Sequence, residues 1–149
     1  MSEPPSELGR WPVSCEMPVQ WGDMDALGHV NHTRYIRWME TARMVYFNRC
    51  GLSEKYETEG VGPILARIEV DYRLPVQFPD TVTIHTTVTR MGKASFDMDY
   101  RIESAAQNGA IVATGCAFCV AYSYRESRVV PMDTALRQGF LELEKTGSA

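Results

Sequence analysis

The chain has 149 residues, of which 44% are hydrophobic and 23% are charged, as is typical of a single globular domain. Its net charge is -4 and it has no basic stretch, which argues against nucleic acid as a partner. No apolar run is long enough to span a bilayer and no apolar signal core opens the chain, so the sequence predicts no membrane partner and a cytoplasmic location.

The predicted elements begin with a flexible lead, residues 1–12, before a single domain of residues 13–149. A first strand is expected from Val13 to Trp21, followed by a loop rich in glycine, aspartate and histidine. From Thr33 to about Arg49, apolar residues recur at helical spacing around much of the circumference, which predicts a long helix buried on more than one side. Gly51 is the expected end of this helix, because glycine accepts the left-handed conformation.

The rest of the chain is predicted to be mainly β-structure. Alternating patterns predict strands over residues 64–72, 81–88 and 94–102, with hairpin-like connections. A last strand over residues 110–124 is apolar on both faces, so it is expected inside the sheet. A C-terminal helix over residues 133–144 shows the charged face of a surface element. The order predicts an α+β fold, with an antiparallel five-stranded sheet wrapped around a long central helix and with open edges that favour oligomerisation.

Four cysteines, Cys15, Cys50, Cys116 and Cys119, are predicted to be reduced thiols. Cys116 and Cys119 have the C-x-x-C spacing found in zinc and redox sites. Because they lie in one predicted strand, an offset of three places them on opposite faces of the sheet. The sequence therefore predicts no metal at this pair.

Residues 21–32, Trp-Gly-Asp-Met-Asp-Ala-Leu-Gly-His-Val-Asn-His, hold the candidate chemistry. A helix begins directly after them, so a carboxylate can lie beside a reacting carbonyl while helix N–H groups face the carbonyl oxygen. Asp23 is expected to orient the loop through backbone hydrogen bonds. Carboxylates and imidazoles are also metal ligands, so the two of each in this loop fit a metal site as well. The loop context favours a carboxylate beside a reacting carbonyl over a metal site.

Four segments closely resemble the hotdog-fold acyl-CoA thioesterases of the 4-hydroxybenzoyl-CoA thioesterase and YbgC type: Asp23–Asn31, Tyr35–Arg43, Val70–Val76 and Phe78–Val82. The resemblance covers about residues 13–131. It implies a single hotdog domain that assembles as a dimer or a dimer of dimers, with acyl-CoA bound at the dimer interface. Acyl carrier protein stays open as a second carrier of the acyl group. CoA is part of the substrate, so the resemblance implies no cofactor and no metal.

The resemblance also implies site residues. Asp25 matches the catalytic aspartate, which either attacks the thioester or activates water, and by itself it would be a loop or capping aspartate. His32 and His29 either contact the thioester or water, or brace the loop. Leu27 stands where plant acyl-ACP thioesterases with a related motif have asparagine, so their triad is incomplete here. Gly28, Asn31 and Thr33 are the expected oxyanion and loop residues. Gly28 permits a tight turn, and backbone N–H groups near Asn31 and Thr33 point out of the helix start. Asn31 is also a natural N-cap.

For the CoA part of the substrate, the resemblance indicates the hairpin that carries Arg90, Lys93 and Ser95, although solvated surface groups would give the same pattern. Two alternatives to hydrolysis are a non-catalytic acyl-CoA sensor and a hotdog hydratase. Asp25 argues against the sensor, and the loop lacks the Asp–His spacing of the hydratases.

Overall fold

The computed structural model describes residues 7–147, and none of its helices is both long and apolar enough to cross a bilayer. In chain order the elements are β1 (Val13–Pro18), a 3-10 turn (Trp21–Asp23), α1 (His32–Cys50), α2 (Leu52–Glu59), β2 (Val61–Tyr72), β3 (Thr81–Met91), β4 (Ser95–Ser104), a second 3-10 turn (Ala105–Gln107), β5 (Ala110–Ser123), β6 (Arg128–Val129) and α3 (Thr134–Glu144).

All strands pair antiparallel in the order β1-β3-β4-β5-β2, with β6 beside β5. The predicted central position of β5 is confirmed. Two details differ from the sequence prediction. Over residues 7–147 the sheet has six strands, because the two residues of β6, too few to give a pattern, pair with the end of β5. The connection from β2 to β3 is not a hairpin, because β2 pairs with β5 at the far edge of the sheet.

The predicted central helix is confirmed, and it begins and ends one residue beyond the expected bounds. Its buried residues, which face the sheet, are Tyr35, Trp38, Met39, Ala42, Arg43, Tyr46, Phe47 and Cys50. Gly51 ends it with φ of 97°, a left-handed conformation that residues with a Cβ rarely adopt. The short helix α2 follows directly and was not predicted, because its eight residues bury only Leu52 and show little apolar periodicity.

The N-terminal segment differs from the predicted flexible lead within its described part, residues 7–12. Leu8 packs against the core. The N–H group of Gly9 donates to Val88 O at 3.0 Å. Residues 1–6 lie outside the described part of the chain. The ordered domain therefore begins before Val13, because backbone N–H groups of this segment find acceptors on the domain.

The C-terminal helix is not only a charged surface element. Glu144 is fully buried. Its Oε1 accepts hydrogen bonds from Arg10 N–H at 3.0 Å and from the Thr87 hydroxyl at 2.6 Å, and its Oε2 accepts from the Tyr46 hydroxyl at 2.8 Å and from Val88 N–H at 3.0 Å. A buried carboxylate is tolerated here because both of its oxygens have donors. It ties α3 to α1, β3 and the N-terminal segment.

The two cysteines of the C-x-x-C pair point to opposite faces of β5, as predicted. Cys119 is buried against the core, whereas Cys116 is half-buried on the outer face, opposite Asp99 on β4. Burial raises the pKa of Cys119 to about 11. Burial, and then the neighbouring Asp99 carboxyl, raise the pKa of Cys116 to about 12. The two thiols therefore do not converge on one site.

Candidate active site

Asp23 organises the loop between β1 and α1. Its Oδ2 accepts a hydrogen bond from Gln20 N–H at 2.8 Å, and its Oδ1 lies 3.5 Å from Arg34 Nε. Its carbonyl oxygen accepts from Asn31 N–H at 2.9 Å. Both ends of the loop are thus tied to this one residue, which agrees with the structural role predicted for it.

Residues 24–30 form a tight turn that presents Asp25 to solvent. Met24 and Val30 pair as an isolated antiparallel bridge. Within it, Asp25 N–H donates to His29 O at 2.8 Å and Gly28 N–H donates to Asp25 O at 3.0 Å. Gly28 has φ of 80°, so the turn needs the conformational freedom of glycine at this point. The Asp25 backbone is therefore fixed although its side chain is exposed.

The Asp25 carboxylate has one hydrogen bond within the described part of the chain. Its Oδ1 accepts from Leu27 N–H at 2.9 Å, which closes an Asx turn. No described residue donates to its Oδ2. A carboxylate has acceptor capacity on both oxygens, so Oδ2 is open to a substrate or to water. The carboxylate is thus oriented at one oxygen and open at the other.

At the start of α1, one backbone N–H group differs from its neighbours because no described residue accepts a hydrogen bond from it. Asn31 caps the helix, as predicted, and its Oδ1 accepts from Thr33 N–H at 2.9 Å and from the Thr33 hydroxyl at 2.6 Å. Asn31 N–H is bound to Asp23 O, and Arg34 N–H donates to Asn31 O at 3.0 Å. Over residues 31–34, His32 N–H alone has no acceptor in the described structure. This N–H group is therefore available to donate to a negative charge that develops beside the helix start.

Tyr72 contributes to the same region and was not identified from the sequence. Its hydroxyl donates to His32 O at 3.0 Å, and the two rings meet edge to face at 6.2 Å and 84°. The strand alternation groups Tyr72 with the inward-facing residues of β2, yet its side chain is exposed at the strand end. Because the contact to His32 spans forty residues, no local pattern could reveal it.

His29 and His32 have different neighbours. It lines a groove of about 410 Å³ with residues 75 and 77–80 and residues 106 and 107. Three large apolar side chains near this loop are unusually open, with Trp21 73%, Leu27 85% and Phe78 44% exposed. An exposed apolar rim around a polar turn is typical of a surface that another molecule covers.

The predicted CoA residues lie away from this loop within the chain. β3 begins at Thr81, near the loop, because the carbonyl oxygen of the preceding Asp80 accepts a hydrogen bond from Val19 N–H just before the loop. Arg90 is near the other end of this strand, about 30 Å from Thr81 at the usual rise of about 3.3 Å per strand residue. The Arg90 guanidinium donates to both oxygens of Asp97 at 2.8 and 3.0 Å.

This pairing raises the pKa of Arg90. It also satisfies the charge of Arg90 locally, and Arg90 Nη2 donates to Ser95 Oγ at 3.0 Å. The ammonium group of Lys93 has no hydrogen bond or ion pair to any described residue, and its side chain is exposed. Lys93 is therefore the cation of this hairpin that is open to a ligand.

Comparison with known proteins identifies the family. The thioesterase-like superfamily model matches residues 19–140. The chain is 31% identical over 99 residues to the acyl-CoA thioester hydrolase YbgC of Escherichia coli O6:H1, covering 66% of this chain and 71% of YbgC. It is 25% identical over 101 residues to the 4-hydroxybenzoyl-CoA thioesterase of Pseudomonas sp. strain CBS-3, covering 65% of this chain and 72% of that protein.

A solved structure agrees with this match. A thioesterase from Thermus thermophilus, complexed with coenzyme A and Zn, superposes with a TM-score of 0.78 at 30% identity, covering 90% of this chain and 95% of that one. The family match takes in most of the chain, and the curled sheet around one long helix agrees with it. The chain therefore belongs to the thioesterase-like superfamily and has the hotdog fold.

Proposed function

We propose that this protein is an acyl-CoA thioesterase, which hydrolyses the thioester of a fatty or aromatic acyl-CoA to a free acid and a thiol. The observation that carries the proposal is the Asp25 carboxylate, held through Oδ1 by Leu27 N–H and open at Oδ2 on an exposed turn. The names of the relatives, an acyl-CoA thioester hydrolase and a 4-hydroxybenzoyl-CoA thioesterase, support the reaction class.

Two routes use the same geometry. In the first, Asp25 attacks the thioester carbonyl, the thiolate leaves, and water hydrolyses the resulting mixed anhydride. In the second, Asp25 takes a proton from water as that water attacks the carbonyl carbon. The carbon–sulfur bond then breaks, and the departing thiolate takes up that proton. Both routes place negative charge on the carbonyl oxygen, and His32 N–H is the donor at the helix start that is free to stabilise it. In this proposal the imidazole rings of His29 and His32 orient the attacking water or the thioester.

A dimer completes the site in this proposal. β2 is the longer edge strand, and among the described strands it pairs only with β5, so its other edge is open to a second copy. Two β2 strands paired antiparallel about a two-fold axis place the loop end of each protomer beside the opposite end of its partner's sheet. The exposed apolar rim at Trp21, Leu27 and Phe78 becomes covered in such an assembly.

The same assembly gives the predicted CoA residues a role. Within one protomer they lie at the far end of β3, whereas the two-fold arrangement brings that end of the partner toward the loop. Lys93 is then the cation for a CoA phosphate, with Arg90 and Ser95 as its neighbours. The proposal also includes acyl carrier protein as a second carrier of the acyl group, and a dimer of dimers as a second form of the assembly. Free thiols at all four cysteines support a reducing, cytoplasmic location.

Thiol release from a panel of aliphatic and aromatic acyl-CoAs tests the function. We expect hydrolysis by the wild type and a loss of about 10²–10⁴-fold in kcat for Asp25→Asn, which keeps the Asx-turn acceptor but removes the carboxylate. Glu142→Gln, at an exposed carboxylate on α3, is the matched control and should keep full activity.

Three results would contradict the proposal. Equal hydrolysis by the wild type and Asp25→Asn would remove Asp25 from the reaction. No hydrolysis of any acyl-CoA, with tight binding of one of them, would replace the enzyme with the sensor. Hydration of an enoyl-CoA without thiol release would indicate the hydratase.

Single-turnover hydrolysis in ¹⁸O-labelled water separates the two routes. Label that appears in the Asp25 side chain, located by peptide mass spectrometry, requires the anhydride. Label confined to the released acid, with no hydroxylamine-trapped anhydride, supports general base catalysis.

A further inference from the structure

A second cluster of reactive side chains lies on the outer face of the sheet. Ser14 of β1 and His85 of β3 are direct cross-strand partners, and Ser14 Oγ lies 2.6 Å from His85 Nδ1. The other ring nitrogen, Nε2, is hydrogen-bonded to Glu103 Oε1 on β4. Three neighbouring strands therefore align a hydroxyl, an imidazole and a carboxylate in one chain of hydrogen bonds, none of which belongs to the Asp25 loop.

The direction of these bonds follows from the chemistry of the groups. An ionised carboxylate can only accept, so the bond to Glu103 requires a proton on His85 Nε2. In the neutral imidazole the lone pair is then on Nδ1, where it faces the Ser14 hydroxyl. This tautomer is the one in which His85 can take the hydroxyl proton when Ser14 attacks an electrophile.

The environment keeps the imidazole and the carboxylate in place while Ser14 stays accessible. The side chains of His85 and Glu103 are 18% and 29% exposed. The Trp11 ring meets His85 edge to face at 6.2 Å. The Arg101 guanidinium lies 5.1 Å from the Trp11 ring centre, and its Nε is 3.8 Å from Glu103 Oε2.

Trp11 is also held in an unusual conformation. Its φ of 53° is left-handed, which costs about 1–3 kcal/mol for a residue with a large side chain. This conformation lets the ring fold over the outer face of the sheet. Trp11 and Arg101 also form one wall of a groove of about 260 Å³ on that face. The other lining residues of this groove lie on β2, β4 and β5, so Trp11 and Arg101 stand between it and the Ser14–His85 pair.

We propose that Ser14 is a nucleophilic acyl acceptor for small activated carboxylic esters, with His85 as its base and Glu103 as a positioning residue. Ser14 Oγ bonds to the acyl carbon as its proton moves to His85 Nδ1. The bond from the acyl carbon to the leaving alkoxide breaks, and the alkoxide takes that proton and departs as the alcohol. Water then hydrolyses the acyl-serine to the free acid. β1 is an edge strand of the described sheet, so alternate N–H groups along its outer edge have no strand partner.

The test uses p-nitrophenyl acetate on the full chain carrying Asp25→Asn, so that the proposed thioesterase site is silent. We expect a burst of about one p-nitrophenolate per protomer and an acetyl group on the Ser14 peptide. Ser14→Ala should abolish both, and in the chain with Asp25 intact it should leave acyl-CoA hydrolysis unchanged. His85→Gln, which keeps polar contacts but lacks the base, should slow acetylation by about 10²-fold or more.

Glu103→Gln tests positioning rather than fold. A carboxamide no longer fixes the His85 tautomer, so the acetylation rate should fall and the shape of its pH profile should change. Cys15→Ala removes the adjacent thiol, whose pKa burial already raises, and should keep the burst. Melting temperatures show that each variant is folded.

The proposal fails if Ser14 carries no acetyl group, or if adding His85→Gln to the Asp25→Asn chain leaves the rate of acetylation at Ser14 unchanged. It also fails if Cys15→Ala abolishes the burst. None of these results bears on the proposed thioesterase, because that reaction is measured with a different substrate and a different variant.

Discussion

Asp25 and Glu144 are two carboxylates that the same fold treats in opposite ways. Asp25 lies exposed on a turn, and in the part of the chain that the structure describes it has one donor, a backbone N–H group on one of its oxygens. Glu144 is fully buried and has four donors, two on each oxygen. A reacting group needs an oxygen that no protein donor occupies, whereas a buried charge is stable only when its acceptors are satisfied. The difference separates the residue expected to react from the residue expected to hold the fold.

Glu144→Ala should have the largest effect on stability. It leaves four donors without their acceptor, two of them backbone N–H groups that cannot rotate away. We expect a loss of about 3–5 kcal/mol in the free energy of unfolding, measured with urea. Glu144→Gln should cost about 1–3 kcal/mol, because its NH₂ group must face either Arg10 N–H or Val88 N–H.

Glu142→Gln, two residues earlier on the exposed side of α3, is the matched control and should change the free energy of unfolding by about 0.5 kcal/mol or less. If Glu144→Ala lowers the free energy of unfolding by less than about 1 kcal/mol, water replaces the lost carboxylate, and the hydrogen bonds between α3 and the core contribute little to stability.

His32→Pro should have the next largest effect, on catalysis alone. Proline at the first helical position removes the free N–H group but is tolerated there. The preceding Asn31, with φ of -62° and ψ of 140°, already has the extended conformation that a following proline requires. We expect kcat for thioester hydrolysis to fall by about 10²–10³-fold.

His32→Ala is the control for this substitution, because it removes the ring and keeps the N–H group. If both variants lose the same activity, the side chain rather than the amide is responsible, and the proposed oxyanion donor is wrong. Circular dichroism of His32→Pro checks that α1 is intact.

Asp133 lies between the two extremes, with a side chain that is 49% exposed. The Lys55 ammonium, and then Leu136 N–H, hold the pKa of its carboxyl below the usual value. Because the folded-state pKa is below the unfolded one, this stabilisation is present above about pH 4 and is lost as the pH falls further. Asp133→Asn, which keeps the helix cap, should make acid unfolding shallower below pH 4.

For an exposed pair the expected difference is below about 1 kcal/mol. It is measured as the free energy of unfolding of both proteins at neutral pH and in acid. A steeper acid loss in Asp133→Asn than in the wild type would reverse the sign of this interaction.

Asp25→Asn should have the smallest effect on stability, about 0.5 kcal/mol or less, because asparagine can still accept from Leu27 N–H. The same urea titration that measures Glu144→Ala measures it. A large loss of stability would mean that the carboxylate also holds the turn, and the loss of activity could then no longer be assigned to chemistry.

Local patterns predicted the parts of the molecule that depend on near neighbours. The long helix followed from apolar spacing, its N-cap from Asn31 and its end from Gly51, and each is confirmed. The opposite orientation of Cys116 and Cys119 followed from the period of a strand. The loop residues were adjacent in sequence, so their proximity required no tertiary information.

Long-range contacts decided the rest. Glu144 in a surface-like helix shows no sign of burial in the sequence, because its donors come from Arg10, Tyr46 and β3. The edge position of β2 depends on its pairing with β5 rather than on the connection that leads to β3. Tyr72 meets His32 across the ends of two elements, and Ser14, His85 and Glu103 meet only because their strands are neighbours.

The sequence by itself determined the long helix, the longer strands, the Asp25 turn and the resemblance to a thioesterase family, because hydrophobic period, capping and turn formation act over a few residues. Only the tertiary structure decided which groups are open and which are satisfied. Within residues 7–147, Asp25 Oδ2 and His32 N–H have no partner, whereas the Glu144 carboxylate is saturated. The reason is that a hydrogen-bonding group is satisfied by whatever the fold brings beside it, and those partners come from distant parts of the chain.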